Sequence, residues 1–168
     1  MSTQADPALM TLTDLKTAVA SRSVSSREAT EAFLKRISDW QPHLNAFISI
    51  EAEDALAAAD EADARLAKGE ARGALDGVPF AHKDMFFERG RVSTCGSRIL
   101  RETPAETSST ALKRLTETGS VRLGTLHMAE FAYGPTGHNA HFGPAGNPWN
   151  PLHVTGGSSS GSGAAVAA

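Results

Sequence analysis

The distribution of glycine divides the sequence into two parts. Residues 1–68 contain no glycine, whereas residues 69–168 contain all 15. Glycine weakens helix interiors and supplies the positive φ angles that many turns require. We therefore expect a helical N-terminal region over 1–68, and a second part over 69–168 that is richer in strands, turns and loops.

The composition limits the class of protein. The 168 residues are 40% hydrophobic and 21% charged, with a formal net charge of −3. No stretch approaches the roughly 18 apolar residues that a membrane span requires. The negative net charge argues against direct binding to nucleic acid. The single cysteine, Cys95, cannot form an internal disulfide, so we expect a cytoplasmic protein.

Periodic patterns predict the main elements. Ser25 and Glu28 form a capping box before a helix that is expected to end at Pro42. An alanine-rich helix follows over 51–68. Strands are predicted over 46–50, 78–82 and 121–123, and short helices over 110–118 and 126–131. Alternating strands and helices of this kind predict an α/β architecture.

The glycine/serine run at 156–163 has several interpretations. A flexible linker has this composition. The spacing of Gly156 and Gly161 matches a phosphate-binding loop, but Ser162 stands where that motif requires a lysine. A dinucleotide-binding fingerprint is also incomplete, because its third glycine is missing. Residues 157–161 match the Gly-x-Ser-x-Gly nucleophile elbow, although no core strand is predicted before them. Finally, a serine in such a loop can relay protons to a lysine in a hydrolase.

The last interpretation requires a lysine, and Lys83 fits best. It follows the apolar strand over 78–82 and precedes Asp84 and the apolar residues 85–87. A lysine that enters the interior from a strand end loses hydration, which lowers its pKa toward that of a general base. The alternative is a structural ion pair between Lys83 and Asp84.

Other reactive side chains give weaker signals. His138 and His141 have the spacing of metal ligands and His127 lies nearby, but no cluster of carboxylates accompanies them, so no metal site is expected. Cys95 has no basic neighbour in sequence. We expect it to be a buried structural thiol.

Five segments occur in an order that resembles the amidase signature family. They are Gly-Val-Pro-Phe-Ala-His-Lys-Asp at 77–84, Ser-Thr-Cys-Gly-Ser at 93–97, Ala-Glu-Phe-Ala at 129–132, Phe-Gly-Pro with Asn-Pro-Trp over 142–149, and the glycine/serine and alanine run at 156–168. The resemblance implies an α/β/α sandwich with a mixed central sheet. It also implies hydrolysis of a non-peptide carboxamide C–N bond without a cofactor.

The resemblance also assigns roles to residues. Lys83 corresponds to the lysine of a Ser–cis-Ser–Lys triad, and Ser158 to the cis-serine that passes protons between that lysine and the nucleophilic serine. Ser159 would brace the loop. The resemblance places the family's nucleophile and oxyanion hole further along the chain than the cis-serine, by about two dozen residues, whereas this sequence ends 10 residues beyond Ser158. We therefore expect residues 1–168 to be the N-terminal portion of a single amidase signature domain, truncated before the nucleophile and inactive alone.

Two further departures from the family pattern are visible. Gly-Thr-Leu-His at 124–127 replaces the usual Gly-Lys-Thr-Asn, and Ser160 replaces a common glycine. The first change weakens inferences about the substrate.

Two alternative functions stay open. One is the amide-transferring subunit of a glutamyl/aspartyl-tRNA amidotransferase, which acts with partner subunits. The other is a non-catalytic binding module or remnant that ends in a glycine/serine linker. In the main interpretation the partner is a small-molecule amide, with no direct contact to nucleic acid or membrane, and homodimer formation is compatible with the sequence.

Overall fold

The computed structural model describes residues 6–168, in which two successive helices are followed by strands and helices in alternation. The helices are α1 (Leu12–Ala20), α2 (Ser26–Leu44), α3 (Ala52–Ala67), α4 (Thr110–Glu117) and α5 (Ser160–Ala167), the strands are β1 (Phe47–Ile50), β2 (Pro79–Lys83) and β3 (Val121–Leu126), and 3-10 turns cover Pro7–Leu9 and Glu130–Ala132. Within 6–168 no helix is both long and apolar enough to cross a bilayer.

The three strands form one mixed sheet in the order β1-β3-β2. β1 runs antiparallel to β3 and pairs Phe47 with Leu126. β2 runs parallel to β3, since the N–H of Val121 donates to Val78 and the N–H of Asp84 donates to Leu126. The predicted α/β class with a mixed central sheet is confirmed. Because β2 ends at the sheet's edge with Lys83, this sheet delivers the lysine to the candidate site.

Helix α2 confirms one local prediction and corrects another. The N–H of Ser25 donates to Glu28 (2.8 Å) and the N–H of Glu28 donates to the Ser25 hydroxyl (3.0 Å), which is the predicted capping box. The predicted end at Pro42 is wrong, because α2 continues to Leu44. A proline this close to the C-terminus removes only one intrahelical hydrogen bond. The helix ends where Asn45 takes a positive φ of 44°.

The helix predicted over 126–131 is also wrong. Leu126 belongs to β3, and the N–H of His127 donates to the carbonyl of Ala46 (2.8 Å), which continues the contact with the β1 segment. Only a 3-10 turn forms at Glu130–Ala132, where Phe131 has a positive φ. Leu126, Met128 and Ala129 are buried, so the apolar spacing reflects burial of a segment that is not helical.

The chain divides into two compact units. One comprises residues up to 38, 51–80 and 114–123, and the other comprises 39–50, 81–113 and 124–168. The first has a core of five buried residues, Leu15, Val19, Val24, Ala29 and Val78. The second contains every residue of the candidate site described below. The assignment of 1–168 to one domain with regions 1–68 and 69–168 stays a prediction.

Candidate active site

The site is built around the amine of Lys83 at the end of β2. Its Nζ donates to the hydroxyl of Ser158 at 2.7 Å and to that of Ser159 at 3.0 Å. The peptide bond between Gly157 and Ser158 is cis. Lys83 and Ser158, the two residues predicted to be catalytic, are therefore in direct contact although 75 positions separate them.

The amine of Lys83 is surrounded by neutral partners. Among residues 6–168, its polar contacts are those with the hydroxyls of Ser158 and Ser159, and none of them is a carboxylate. Burial lowers the pKa of Lys83 from its ordinary value of 10.5. With no anion from this part of the chain to stabilise the ammonium form, the neutral amine that a general base requires becomes more accessible.

Asp84, the next residue, has a separate set of partners. Its carboxylate accepts hydrogen bonds from the N–H (3.1 Å) and the hydroxyl of Thr94, and from the N–H of Gly96 (3.4 Å). Burial raises the pKa of Asp84, although these bonds oppose the shift. The ion pair between Lys83 and Asp84 is not formed. Asp84 instead fixes the loop around Cys95, whose own pKa is raised by burial and by the Asp84 charge, so the thiol stays protonated.

The glycine/serine run packs closely on its surroundings. The carbonyl of Ser158 accepts from the N–H of Ala129 (3.0 Å). A Cβ at Gly157 would lie 2.7 Å from the carbonyl oxygen of Gly134, so only glycine fits there. Ser160 is fully buried and begins α5. The linker interpretation is wrong, because this run is held by specific contacts.

The nucleophile-elbow interpretation also lacks its structural context. That motif requires a core strand immediately before the turn. Among the described residues just before Gly157, Val154 forms only an isolated bridge with Gly146. Ser159, the position that the motif would make the nucleophile, is instead a second acceptor for Lys83.

The family follows from comparison of the whole sequence with known proteins. The sequence model of the family described as amidase matches residues 28–168. The chain belongs to the amidase family. Because the match includes the lysine segment and the glycine/serine run, the family assignment covers both halves of the site described above.

Individual relatives of this amidase-family chain are similar in sequence and in fold. It is 49% identical over 158 residues to the A subunit of the glutamyl-tRNA(Gln) amidotransferase of Halorhodospira halophila, covering 94% of this chain and 32% of that protein. The native peptide amidase of Stenotrophomonas maltophilia is 31% identical with a TM-score of 0.85, covering 99% and 34%. A bacterial aryl acylamidase of the amidase signature enzymes is 31% identical with a TM-score of 0.88, covering 94% and 33%. The chain thus spans about a third of the length of each.

The histidines of this amidase-family chain bond to protein groups. His127 contacts Ser160, His138 contacts Thr136 at 3.0 Å, and His141 contacts Glu130 at 2.8 Å. Within the described part of the chain, no group of three or more His, Cys, Asp or Glu residues is arranged to hold a metal ion.

Sequence reasoning missed a chain of polar contacts that ties three loops together. The hydroxyl of Ser97 donates to Glu130 Oε1 at 2.6 Å, and the same oxygen lies 2.8 Å from His141 Nε2. These bonds, with Ser97 contributing most, lower the pKa of Glu130. Ser97 and Glu130 lie in two of the segments that carry the family resemblance, at 93–97 and 129–132. Their presence in these segments was the only sequence feature that could have pointed to the contact.

Proposed function

We propose that this chain supplies the lysine and the relay serine of an amidase that hydrolyses a carboxamide C–N bond by a Ser–cis-Ser–Lys mechanism. The observation that carries the proposal is the 2.7 Å contact of Lys83 Nζ with Ser158 Oγ. It is supported by the lowered pKa of Lys83 and by the membership of the amidase family. The nucleophilic serine and the oxyanion hole are assigned to a longer polypeptide that contains this sequence.

The proposed proton path runs in both directions through Ser158. When Lys83 is neutral, its lone pair accepts the proton of the Ser158 hydroxyl, and Ser158 accepts the proton of the nucleophilic serine as that serine attacks the amide carbon. As the tetrahedral intermediate collapses, the proton returns along the same path to the leaving amine and the C–N bond breaks. Water then attacks the acyl-enzyme, assisted by the same groups, to release the carboxylic acid.

Ser159 has a supporting place in this scheme. Its hydroxyl also accepts from Lys83, at 3.0 Å. Two acceptors fix the direction of a flexible four-carbon side chain better than one does. We propose that Ser159 orients the amine toward Ser158 and takes no part in bond breaking.

The proposal is tested in a polypeptide that contains this sequence together with its nucleophile. Lys83→Ala is expected to lower kcat/KM on simple aliphatic and aromatic amides by about 10²–10⁴-fold, the range for loss of a general acid–base group. Ser158→Ala is expected to act similarly. The matched control is Lys68→Ala, at the exposed C-terminal end of α3. Near-wild-type turnover by Lys83→Ala would refute the general-base role.

A second candidate function is that of an amidotransferase component. The support is the 49% identity with the Halorhodospira halophila protein. Against it, residues 124–127 depart from the family's usual sequence in the segment that precedes Met128. In this version the same site would cleave an amide only in the presence of partner subunits.

The two candidates predict different requirements for turnover. A free-standing amidase should hydrolyse small amides as an isolated protein or homodimer. An amidotransferase component should copurify with other subunits and should release ammonia at a useful rate only within that complex. Turnover of small amides without a partner would favour the first candidate, and strict dependence on partners would favour the second.

A further inference from the structure

His127 is a fully buried side chain that the mechanism above does not use. It follows the last residue of β3 and none of its surface is exposed. Its Nδ1 lies 2.9 Å from the hydroxyl of Ser160, and its Nε2 lies 2.9 Å from the carbonyl of Gly143. Both ring nitrogens are therefore engaged, by two different segments of the second unit.

These contacts fix the tautomer of the ring. A carbonyl oxygen can only accept, so Nε2 must carry a hydrogen and donate it to Gly143. Burial lowers the pKa of His127, so the ring is neutral and has only that one N–H. Nδ1 is then an acceptor, and the Ser160 hydroxyl must donate to it. The pair has one permitted hydrogen-bond arrangement.

The backbone of the same segment also holds the start of α5. The N–H of Gly161 donates to the carbonyl of His127 at 2.9 Å, and the N–H of Ala129 donates to the carbonyl of Ser158 at 3.0 Å. A Cβ at Gly161 would clash with the backbone nitrogen of His127. The backbone of residues 127 and 129 thus bonds to Gly161 and Ser158, which lie on either side of Ser159. The His127 ring adds a side-chain contact, with Ser160.

The two partners depend on each other for their hydrogen bonding. His127 and Ser160 contact each other in the interior, and both are buried. A residue at 160 without a hydroxyl could not donate to the histidine, and a histidine without that donor would leave a buried Nδ1 without a partner. The two side chains are therefore complementary.

We propose that His127 is a positioning residue, which holds the Ser158 hydroxyl at hydrogen-bonding distance from Lys83 by accepting the hydrogen bond of Ser160 and donating one to Gly143. Its kinetic consequence rests on the proposed amidase function, whereas its structural consequence does not. His127 acts through Ser160 and the backbone and touches neither the amine nor the reacting atoms.

The structural arm of the test uses the 168-residue chain. Nitrogen-15 NMR of the His127 ring is expected to show the Nε2–H tautomer. In Ser160→Ala, the side-chain NMR signals of Lys83 are expected to move, and those of Lys68 are expected to stay in place. An Nδ1–H tautomer, or unchanged Lys83 signals in Ser160→Ala, would overturn the proposal even if amide hydrolysis is later demonstrated.

The kinetic arm uses the longer polypeptide and a double-mutant cycle. His127→Asn and Ser160→Gly are each expected to lower kcat about tenfold with little change in KM, because a small displacement of a catalytic group is costly. Since the two residues share one interaction, the double variant should also lose about tenfold, not the roughly hundredfold of independent effects. A multiplicative loss contradicts the proposal.

Two controls separate this inference from the proposed function. His153→Asn, at an exposed histidine, should leave kcat unchanged. If His127→Asn does not fold, the tautomer measurement and Ser160→Ala still decide the question. If Lys83→Ala retains turnover while the NMR results are as expected, the proposed function fails and the positioning of the loop by His127 stands.

Discussion

The two units of the chain each contain a partly buried cation, and the two cations have opposite surroundings. In the first unit, Arg65 donates two hydrogen bonds to the carboxylate of Asp76, at 2.7 and 3.3 Å. In the second, Lys83 donates to two neutral hydroxyls. The hydrogen bond to Asp76 raises the pKa of Arg65, whereas burial lowers that of Lys83.

The difference in hydrogen-bond partners makes Arg65 a structural charge and makes Lys83 suited to proton transfer. A bidentate carboxylate fixes the guanidinium in its charged form, so the Arg65–Asp76 pair contributes to stability and cannot exchange protons near neutral pH. Hydroxyl partners accept a hydrogen bond from the ammonium form and donate one to the neutral form. Lys83 can therefore change its charge without losing its contacts, and such a change is what a general base requires.

The largest expected effect on stability comes from breaking the first pair. Asp76→Ala leaves the Arg65 guanidinium, whose side chain is 17% exposed, without its main counter-charge. We expect the free energy of unfolding to fall by about 3 kcal/mol, near the lower end for a broken buried pair. Urea unfolding measures this.

A matched control is available for that measurement on the same arginine. Glu61 lies 3.9 Å from Arg65 but is 74% exposed, so Glu61→Ala should cost less than about 0.5 kcal/mol. If Asp76→Ala costs no more than Glu61→Ala, the pair is not structural and the contrast with Lys83 disappears.

A smaller effect is expected from acid, through the neutral His127 of the second unit. Burial lowers the pKa of His127 from its ordinary 6.5, so the unfolded chain takes up a proton at this position before the folded chain does. The contribution of neutral His127 to the free energy of unfolding is fully present above about pH 6.5, and it is lost as the pH falls from there toward the folded-state pKa. Urea unfolding between about pH 7.5 and about pH 5 should therefore show declining stability.

The source of that decline can be assigned by substitution. His127→Asn should reduce the slope of stability against pH relative to that of the wild type. An identical slope in wild type and His127→Asn would show that other groups cause the acid loss.

The same two regions show how far a sequence can predict a structure of this kind. In the first unit the signals are local, and the capping box of Ser25 and Glu28 is predictable from four consecutive residues. In the second unit the decisive contacts join distant residues. Lys83 is still recognisable, because a lysine at a strand end has characteristic chemistry. The glycine/serine loop is recognisable by its composition, but within it Ser158 is singled out by the family resemblance.

What sequence cannot predict in the second unit depends on tertiary packing. The prediction of a helix from Leu126 fails because apolar spacing does not distinguish a helix from a strand buried by the sheet. The contact of His127 with Ser160 joins residues 33 positions apart, and neither residue type indicates the other. The helix α5 begins within a Gly-Ser sequence of low helix propensity, where the contacts of Gly161 and Ser160 with His127 prevail over that propensity.

The smallest expected effect tests the second cation directly. Lys83→Met keeps an unbranched side chain that is one atom shorter and removes the desolvated amine. Ser158 and Ser159 lose a partner but lie in a partly accessible loop. We expect the free energy of unfolding to stay within about 1 kcal/mol of wild type, because residues placed for chemistry commonly contribute little to stability. Lys68→Met is the control for exchanging a lysine at an exposed site. A loss as large as that of Asp76→Ala would make Lys83 a structural cation like Arg65. If Lys83→Met leaves the stability unchanged but abolishes turnover in the longer polypeptide, the two cations have different roles. Lys83 is then needed for chemistry, and Arg65 for folding.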